Sequence, residues 1–562
     1  MGESGTLTHG SWRCLRRQLD PLAHRTLGRV SDQPDPTTAP PERDVPEQMR
    51  VRLDKLDRLR ARGVDPYPVG FPRTTTIGDL RAKHPDLPVD TKTGERVGIA
   101  GRVVLFRTGG KLCFATVRDA TGDMQVMVSV DSVGEESLAQ WKADVDIGDH
   151  VGVEGEVITS RRGELSVLAD RWAITAKCLR PLPDKHHGLV DLEARVRQRY
   201  VDLIVNPGSR RMLVLRSEAV RSIREQLSAR GFIEVETPML QTVHGGANAR
   251  PFTTHINAYD MDLFLRIAPE LYLKRLAVGG VERVFEINRN FRNEGADSTH
   301  NPEFTMLEAY EAYGDYNTMR TLTQTLIQGA AEAALGSTVV RHRAAASAGR
   351  GQSADSPDGL ESEHDIGGEW PVITVHDAIS SALGEPVDPD TPIERLHDLA
   401  EGAGIALEES WSRGQVVLEL YEHLVETRTV DPTFYIDFPT EVSPLTRAHR
   451  EDPRLAERWD LVAFGAEIGT AYSELIDPVE QRARLTAQSL LAAGGDAEAM
   501  DLDEDFLRAL EYAMPPSGGL GLGIDRLLMM LTGRSIRETV LFPMVRPVSM
   551  APLNLSLRPE SL

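Results

Sequence analysis

Cysteine is scarce. Cys14, Cys113 and Cys178 are the three in 562 residues, widely spaced and without a CxxC pair, which argues against a disulfide framework or a zinc site and points to a reducing cytosol. No run approaches the roughly eighteen consecutive apolar residues that a membrane-spanning helix needs, and no secretory-type apolar segment opens the sequence, so a cytoplasmic protein is expected. Positive charge is also short: 63 Lys and Arg against 85 Asp and Glu leave a net charge of −22. Such a surface repels nucleic acid and anionic lipid as a whole, and any RNA contact must use local basic patches. Internal repeats are missing. What is present, 41% hydrophobic and 26% charged residues, is ordinary for a globular protein, and the length exceeds what one core usually supports.

Residues 1–45 carry scattered Arg, Pro, Thr and Gly without apolar period and read as a disordered tail. Trp12, Leu15, Arg16, Arg17 and Leu19 raise the question of an organelle transit peptide, but scarce Lys beside abundant Arg and Ala fits a high-GC bacterial coding bias and a dispensable extension better. Over 46–180, Met49, Val51, Leu53, Leu56 and Leu59 predict a basic amphipathic helix at Glu47–Arg62 that packs on the next domain, with tRNA contact as the minority reading. From about Val97 to Arg180, short strands such as Phe114–Val117, Met124–Val128 and Val151–Gly155 recur between turns and predict a small β-barrel. Prolines in Arg180–Lys185 open a hinge over 181–211, where Arg195, Arg197, Arg199, Arg210 and Arg211 form the most basic local stretch, a solvated helix face or an RNA track. Residues 212–562 form the remaining domain. A helix over Met212–Arg230 ends at Gly231 and runs into a strand over Phe232–Val235. The segment 341–368 reads as a mobile surface loop, followed by a helix at Val416–Val425 and a strand at Phe434–Phe438.

The chain is organised around Phe291-Arg292-Asn293-Glu294-Gly295 through His300-Asn301-Pro302-Glu303-Phe304-Thr305. Arg292 suits a bidentate grip on an α-phosphate, Glu294 can accept from an adenine amino group or a hydroxyl, His300 can meet terminal phosphates, and Phe304 can stack on a base. Alone, the stretch is also a charged hairpin, since Asn-Glu-Gly is a turn. It is accompanied by Gly231-Phe232-Ile233-Glu234-Val235-Glu236-Thr237-Pro238 upstream and Gly518-Gly519-Leu520-Gly521-Leu522-Gly523-Ile524-Asp525-Arg526 downstream. With the three blocks in this order the sequence resembles a class II aminoacyl-tRNA synthetase, and among these a lysyl-tRNA synthetase, from about Val97 to Pro543.

The resemblance implies an α+β multi-domain protein: an N-terminal OB-fold barrel that reads the anticodon, then a class II catalytic domain on an antiparallel sheet, assembled as a homodimer through the 212–235 helix and strand. It implies a lysine–tRNA ligase acting on lysine, ATP and tRNA(Lys). Phe114, Gln125, Arg107 and Glu164 fall at anticodon-binding positions. ATP would meet Arg292, Glu294, His300, Asn301, Phe304, Gly523 and Arg526, with Arg292 and Arg526 as the catalytic cations. Neither chemical step needs a protein nucleophile, so catalysis rests on positioning and charge stabilisation. Gly519, Gly521 and Gly523 would let the backbone approach the nucleotide.

A lysine side chain needs a slot ending in carboxylates, because an ammonium taken out of water must be paired. Glu270, Glu308 and Glu474 match the family's pocket, with Tyr310 and Tyr472 as walls and Gly246 near the entrance. Magnesium would bridge the phosphates, held by Asp460 and Glu467. Their separation of seven places them on opposite faces of an uninterrupted strand, so a turn at Phe464-Gly465 is needed to reunite them. One departure stands out: Thr470 occupies a position where the family usually has Asn. The same block also resembles the synthetase half of actinobacterial two-domain lysyl-phosphatidylglycerol proteins, whose membrane-spanning half this sequence does not contain. A lysine–tRNA ligase is the first reading. A paralogue supplying lysyl-tRNA to a lipid transferase is the enzyme alternative, and an RNA-binding protein that kept the fold is the non-enzyme one.

Overall fold

The computed structural model describes residues 45–183, 189–343, 361–408, 411–493 and 500–547. The expected tail, up to residue 44, and the 344–360 part of the expected surface loop lie outside the described residues. The chain divides into two compact units, one ending at Arg180 and the other spanning Pro181–Arg546.

In the first unit, helix α1 (Glu47–Ala61) precedes five strands, β1 (Lys92–Arg107), β2 (Leu112–Arg118), β3 (Asp123–Ser129), β4 (His150–Thr159) and β5 (Leu165–Ala176). They close as a barrel in the order β1-β2-β3-β5-β4. Strands β2 and β3 alternate without exception, so Cys113, Ala115, Val117, Met124, Val126 and Val128 fill the interior while Phe114, Thr116, Gln125 and Met127 point outward. This is the two-residue period of a pleated strand. Helix α1 buries Met49, Leu56 and Leu59, and Arg52 donates to the carbonyls of Cys178 (2.8 Å) and Ile147 (3.0 Å). Its basic residues therefore knit it to the barrel.

The second unit opens with α2 (Pro207–Ala229), which begins before the expected Met212 because a proline is tolerated in the first helical turn. An eight-stranded sheet follows: β6 (Ile233–Glu234), β7 (Arg283–Phe291), β8 (Glu303–Ala312), β9 (Val372–Thr374), β10 (Thr433–Pro439), β11 (Leu455–Ala463), β12 (Ala466–Ser473) and β13 (Ser517–Gly523). The order is β9-β10-β11-β12-β13-β8-β7-β6. Its central pairs are antiparallel, whereas β9 on β10 and β6 on β7 are parallel, so the expected antiparallel sheet carries a parallel strand at each edge. Helices α3 (Glu270–Val278), α4 (Tyr316–Leu335), α5 (Arg413–Leu424) and α6 (Ile524–Thr532) complete the frame used below.

One face of the sheet is the core. Ile223 and Leu227 of α2, Met319 and Leu326 of α4 and Leu528 of α6 pack with Leu307, Leu520 and Leu522 of the sheet. The opposite face forms the floor of a cleft. The base of the 341–368 segment is ordered as an antiparallel strand pair, Val339–Arg343 on Glu361–Asp365, because Val340 is buried in the main core. Part of the basic stretch is internal too. Arg199, 3% exposed, pairs with Asp202 at 2.6 Å and donates to the carbonyls of Leu541 (3.0 Å) and Arg537 (2.9 Å), and so closes the C-terminal segment onto the hinge instead of facing solvent or RNA. Among the described residues no helix is long and apolar enough to cross a membrane.

Candidate active site

The hairpin β7–β8 sets the site. Its register pairs Asn290 with Phe304 and Glu286 with Glu308, which leaves residues 292–302 as the connecting loop. On the other side β8 pairs with β13, placing Gly523 opposite Met306, Gly521 opposite Glu308 and Gly519 opposite Tyr310. The Gly-Leu-Gly-Leu-Gly run is therefore a strand. Its leucines face the core, and its glycines face the cleft.

Those glycines serve the cleft differently from the expected backbone approach to a nucleotide. A Cβ on Gly519 would collide with the Glu474 carboxylate and, at 2.6 Å, with the Tyr310 ring; one on Gly521 would meet the Met306 methyl at 2.5 Å. Two of the three glycines thus make room for protein side chains. Gly523 is the residue from which α6 starts.

Two adjoining cavities lie on this face. One, of about 200 Å³, is lined by Arg292, Glu294, His300, Asn301, Phe304 and Arg526. The other, of about 330 Å³, is lined by Gly246, Glu270, Glu308, Tyr310, Tyr472 and Arg458. Arg292, Met306, Glu467, Thr470 and Gly521 belong to both walls, so the cavities meet at Arg292.

In the smaller cavity the Arg292 guanidinium lies over the Phe304 ring at 5.2 Å, and its buried Nε has no hydrogen-bond partner in the protein. An arginine whose buried Nε the protein leaves unpaired is prepared for an anion. Arg526 donates to the Glu467 carbonyl at 2.8 Å and to His300 Nε2 at 3.2 Å. His300 Nδ1 in turn faces Asp297 at 3.1 Å, so the imidazole carries its proton on Nδ1. Burial would raise the Asp297 carboxyl, but hydrogen bonds from Thr299 and His300 hold it at about 2. Glu294 is exposed at the rim. Asn301 lines the cavity and also has internal partners: its amide donates to the Glu303 carbonyl and accepts from the Met544 backbone at 3.2 Å. It holds the loop.

The larger cavity is acidic. Gly246, at φ 92°, lies so close to α3 that a Cβ would stand 3.0 Å from that of Glu270. Glu308 is 3% exposed, and its hydrogen bond is from the Tyr310 hydroxyl at 3.3 Å. Burial, then the neighbouring Glu270, pushes its carboxyl well above the usual range. Glu474 is also buried but is not among the lining residues; its carboxylate pairs with Lys274 at 2.5 Å, behind the wall.

The expected metal pair is only half assembled. The turn at Phe464 (φ 53°) and Gly465 (φ 75°) does fold β11 back on β12. Leu461 pairs with Gly469 and Val462 with Glu467, so Ile468 is bulged, and the bulge returns Glu467 to the cleft face beside Thr470. Glu467 fits a magnesium ion held mainly by phosphates and water. Asp460 does not, because both its oxygens are engaged by Arg458, at 3.0 and 2.7 Å, and it lines neither cavity. Among the described residues no group of three or more His, Cys, Asp or Glu side chains is arranged to hold a metal ion. Glu426, unforeseen in the sequence, accepts from the Glu467 backbone at 3.3 Å and is raised to about 7 by burial and by Glu467. Thr470 donates to the Trp459 carbonyl at 3.1 Å.

Arg216 and Arg266, which sequence patterns do not mark, tie the motif blocks together. Asp525 accepts from the Thr305 backbone at 2.7 Å and pairs with Arg216 of α2, which also donates to the Thr305 hydroxyl at 2.9 Å. Buried Arg266 pairs with Glu286 at 2.7 Å, and Glu286 accepts from the Thr237 hydroxyl at 2.6 Å. In the barrel unit, Arg107 is the cross-strand neighbour of Phe114, and Gln125, two pairs along and on the same face, donates to Ser166 at 2.9 Å. Glu164 is exposed and pairs with Arg81 at 3.2 Å.

Residues 191–546 match the family described as tRNA synthetases class II (D, K and N), and residues 97–175 match the OB-fold nucleic acid binding domain. Curated relatives include the lysylphosphatidylglycerol biosynthesis bifunctional protein LysX of Nocardia farcinica (strain IFM 10152), 56% identical over 515 residues, which are 92% of this chain and 44% of that protein. The protein of the same name from Mycobacterium ulcerans (strain Agy99) is 57% identical over 507 residues, 90% of this chain and 44% of its own length. The chain thus spans less than half the length of these relatives. The fold, the three linked motif blocks and the match over more than half of its residues agree: the chain belongs to the class II tRNA synthetases of the D, K and N family.

Proposed function

We propose that this chain activates lysine with ATP and transfers the lysyl group to tRNA(Lys), and that the lysyl-tRNA supplies lysylphosphatidylglycerol synthesis. The observation that carries the chemistry is a pair of adjoining cavities, one with cations and an aromatic ring, the other acidic, sharing Arg292. A lysine carboxylate oxygen attacks the α-phosphorus of ATP, pyrophosphate leaves, and the tRNA 3′-terminal hydroxyl then attacks the adenylate carbonyl, releasing AMP. Arg292 meets the carboxylate and α-phosphate at the junction, and Arg526 with His300 meets the outer phosphates. Glu270 and Glu308 receive the amino groups. Glu467 would hold Mg2+, which neutralises phosphate charge when bound.

The names of the relatives favour the lipid destination over the general lysine–tRNA ligase that the sequence put first. Both readings share the catalysis and a cytoplasmic site of action. Exposed Val214 on α2 and Ile233 on β6 support a homodimer through that face. Lysine-dependent ATP–pyrophosphate exchange beside tRNA(Lys) charging tests the reaction; exchange driven by aspartate or asparagine instead would overturn it. Depletion in the host separates the destinations. Loss of lysylphosphatidylglycerol with growth retained supports the lipid route, and arrest of protein synthesis supports the general one.

Replacing Phe114 by alanine should weaken tRNA charging and leave pyrophosphate exchange intact, because the ring is on the barrel's outer face. One lost base stack costs about 1–3 kcal/mol, or about 5- to 150-fold in tRNA affinity. Equal damage to both activities would return Phe114 to a structural role.

Lysine affinity should also depend on pH. The substrate amine stays protonated to about pH 10, whereas Glu308 has a raised pKa in the free enzyme. It must lose its proton to pair with the ammonium, so affinity is lowest in acid, rises as pH climbs through that pKa, and binding releases protons. Calorimetry in buffers of different ionisation enthalpy reads the release; no proton transfer at any pH would contradict it.

A further inference from the structure

Helix α3 places Glu270 and Lys274 one turn apart on the same face, and the Lys274 ammonium lies 2.6 Å from Glu270 and 2.5 Å from Glu474. The Lys274 side chain has no solvent exposure, and the two carboxylates have 7% and none. Glu270 lines the amino-acid cavity; Lys274 and Glu474 are not among the lining residues. The three groups thus form a layered charge chain, with a carboxylate at the wall, an ammonium behind it and a second carboxylate behind that.

An internal lysine between two carboxylates is an unusual component for a pocket that must itself bind a cation. It consumes the charge of a wall residue. We propose that Lys274 is a positioning and specificity-determining residue of the amino-acid pocket: by bridging Glu270 and Glu474 it fixes the Glu270 carboxylate at the wall and cancels the surplus negative charge of the pair. This deepens the lysine reading above and rests on it.

The electrostatics agree with the geometry. Burial alone would push both carboxyl groups up and the ammonium down, while the pairing opposes all three shifts and keeps Lys274 charged. Glu308, by contrast, has no ammonium or guanidinium within ion-pair distance among the described residues. Packing confines the inner carboxylate: Glu474 lies against Gly519, where a Cβ would meet its carboxylate, while Glu270 lies beside Gly246 through its Cβ.

The test is a double-mutant cycle on the full chain, read by lysine binding and by lysine KM and kcat in pyrophosphate exchange across pH. Lys274→Met leaves two buried carboxylates facing each other without a counter-ion. Lysine KM should rise on the order of ten- to a hundred-fold, with kcat less affected, and a new ionisation should enter its pH profile. Adding Glu474→Gln removes the surplus charge and should recover most of the loss, whereas a lysine that only fills space predicts additive damage. Lys274→Arg, which keeps the charge, should lie between the wild type and Lys274→Met. An unchanged lysine KM in folded Lys274→Met overturns the proposal, as do additive losses in the double variant. If Lys274→Met fails to fold but the double variant folds, the charge-balance role is supported; if neither folds, Lys274 is structural and the proposal falls. A wild-type chain that neither binds lysine nor uses it in exchange overturns both this proposal and the reading beneath it.

Discussion

Replacing Arg292 by alanine should lower lysine-dependent pyrophosphate exchange by about 10²–10³-fold, the usual cost of about 2.7–4 kcal/mol for losing one preorganised donor aimed at developing charge. The expectation follows from position. Arg292 belongs to both cavity walls, its ring partner Phe304 fixes its plane, and its Nε has no hydrogen-bond partner in the protein. In the proposed reaction that junction is the point where the amino-acid carboxylate and the α-phosphate meet. The loss should fall on kcat, because the donor is needed most when charge accumulates at phosphorus. Arg292→Lys should recover only part of the activity, since an ammonium supplies charge but not the planar fork. A folded Arg292→Ala enzyme with near-normal exchange would remove Arg292 from the reaction.

Glu308→Gln should raise the lysine constant by about thirty-fold to a few thousand-fold and leave the ATP constant close to normal. Removing one member of a buried, hydrogen-bonded charge pair costs about 2–5 kcal/mol, and each 1.4 kcal/mol is about a factor of ten. Glu308 is at the wall and has no ion-pair partner among the described residues, whereas Glu270 is already paired with Lys274. The glutamine keeps the size and the Tyr310 contact, so the lost interaction is electrostatic. The variant should also lose the pH dependence of lysine binding. Unchanged lysine affinity, or a retained pH profile, would show that another group receives the side-chain ammonium. Gly519→Ala should approach the same phenotype without touching a charge, because its Cβ would displace Glu474 and the Tyr310 ring.

Much of this protein is legible along the chain. The β2 and β3 strands are visible as a two-residue period, and the same period makes Phe114 an outward residue once the strand is drawn. The three motif blocks are contiguous runs, so their order alone indicates the family and many of the residues that line the smaller cavity. Local signals of this kind survive in one dimension because they depend on neighbours a few positions apart.

What opposes a residue across space does not. A glycine run reads as a loop until strand pairing sets Gly519 against Tyr310 and Gly521 against Glu308. Asp460 and Glu467 read as a ligand pair until Arg458 occupies both oxygens of one and a bulge at Ile468 returns the other to the cleft. Arg199 reads as surface charge until Leu541 and Arg537 accept its protons from well over three hundred residues away. Glu474 reads as a pocket carboxylate, and only the fold brings Lys274, two hundred positions earlier in the chain, to 2.5 Å from it. Sequence by itself determined the family, the strand periods and the inventory of charged groups. Only the tertiary structure decided which charges are already neutralised by the protein and which are left for a substrate, because an ion pair depends on separation in space, and separation along the chain carries almost no information about it.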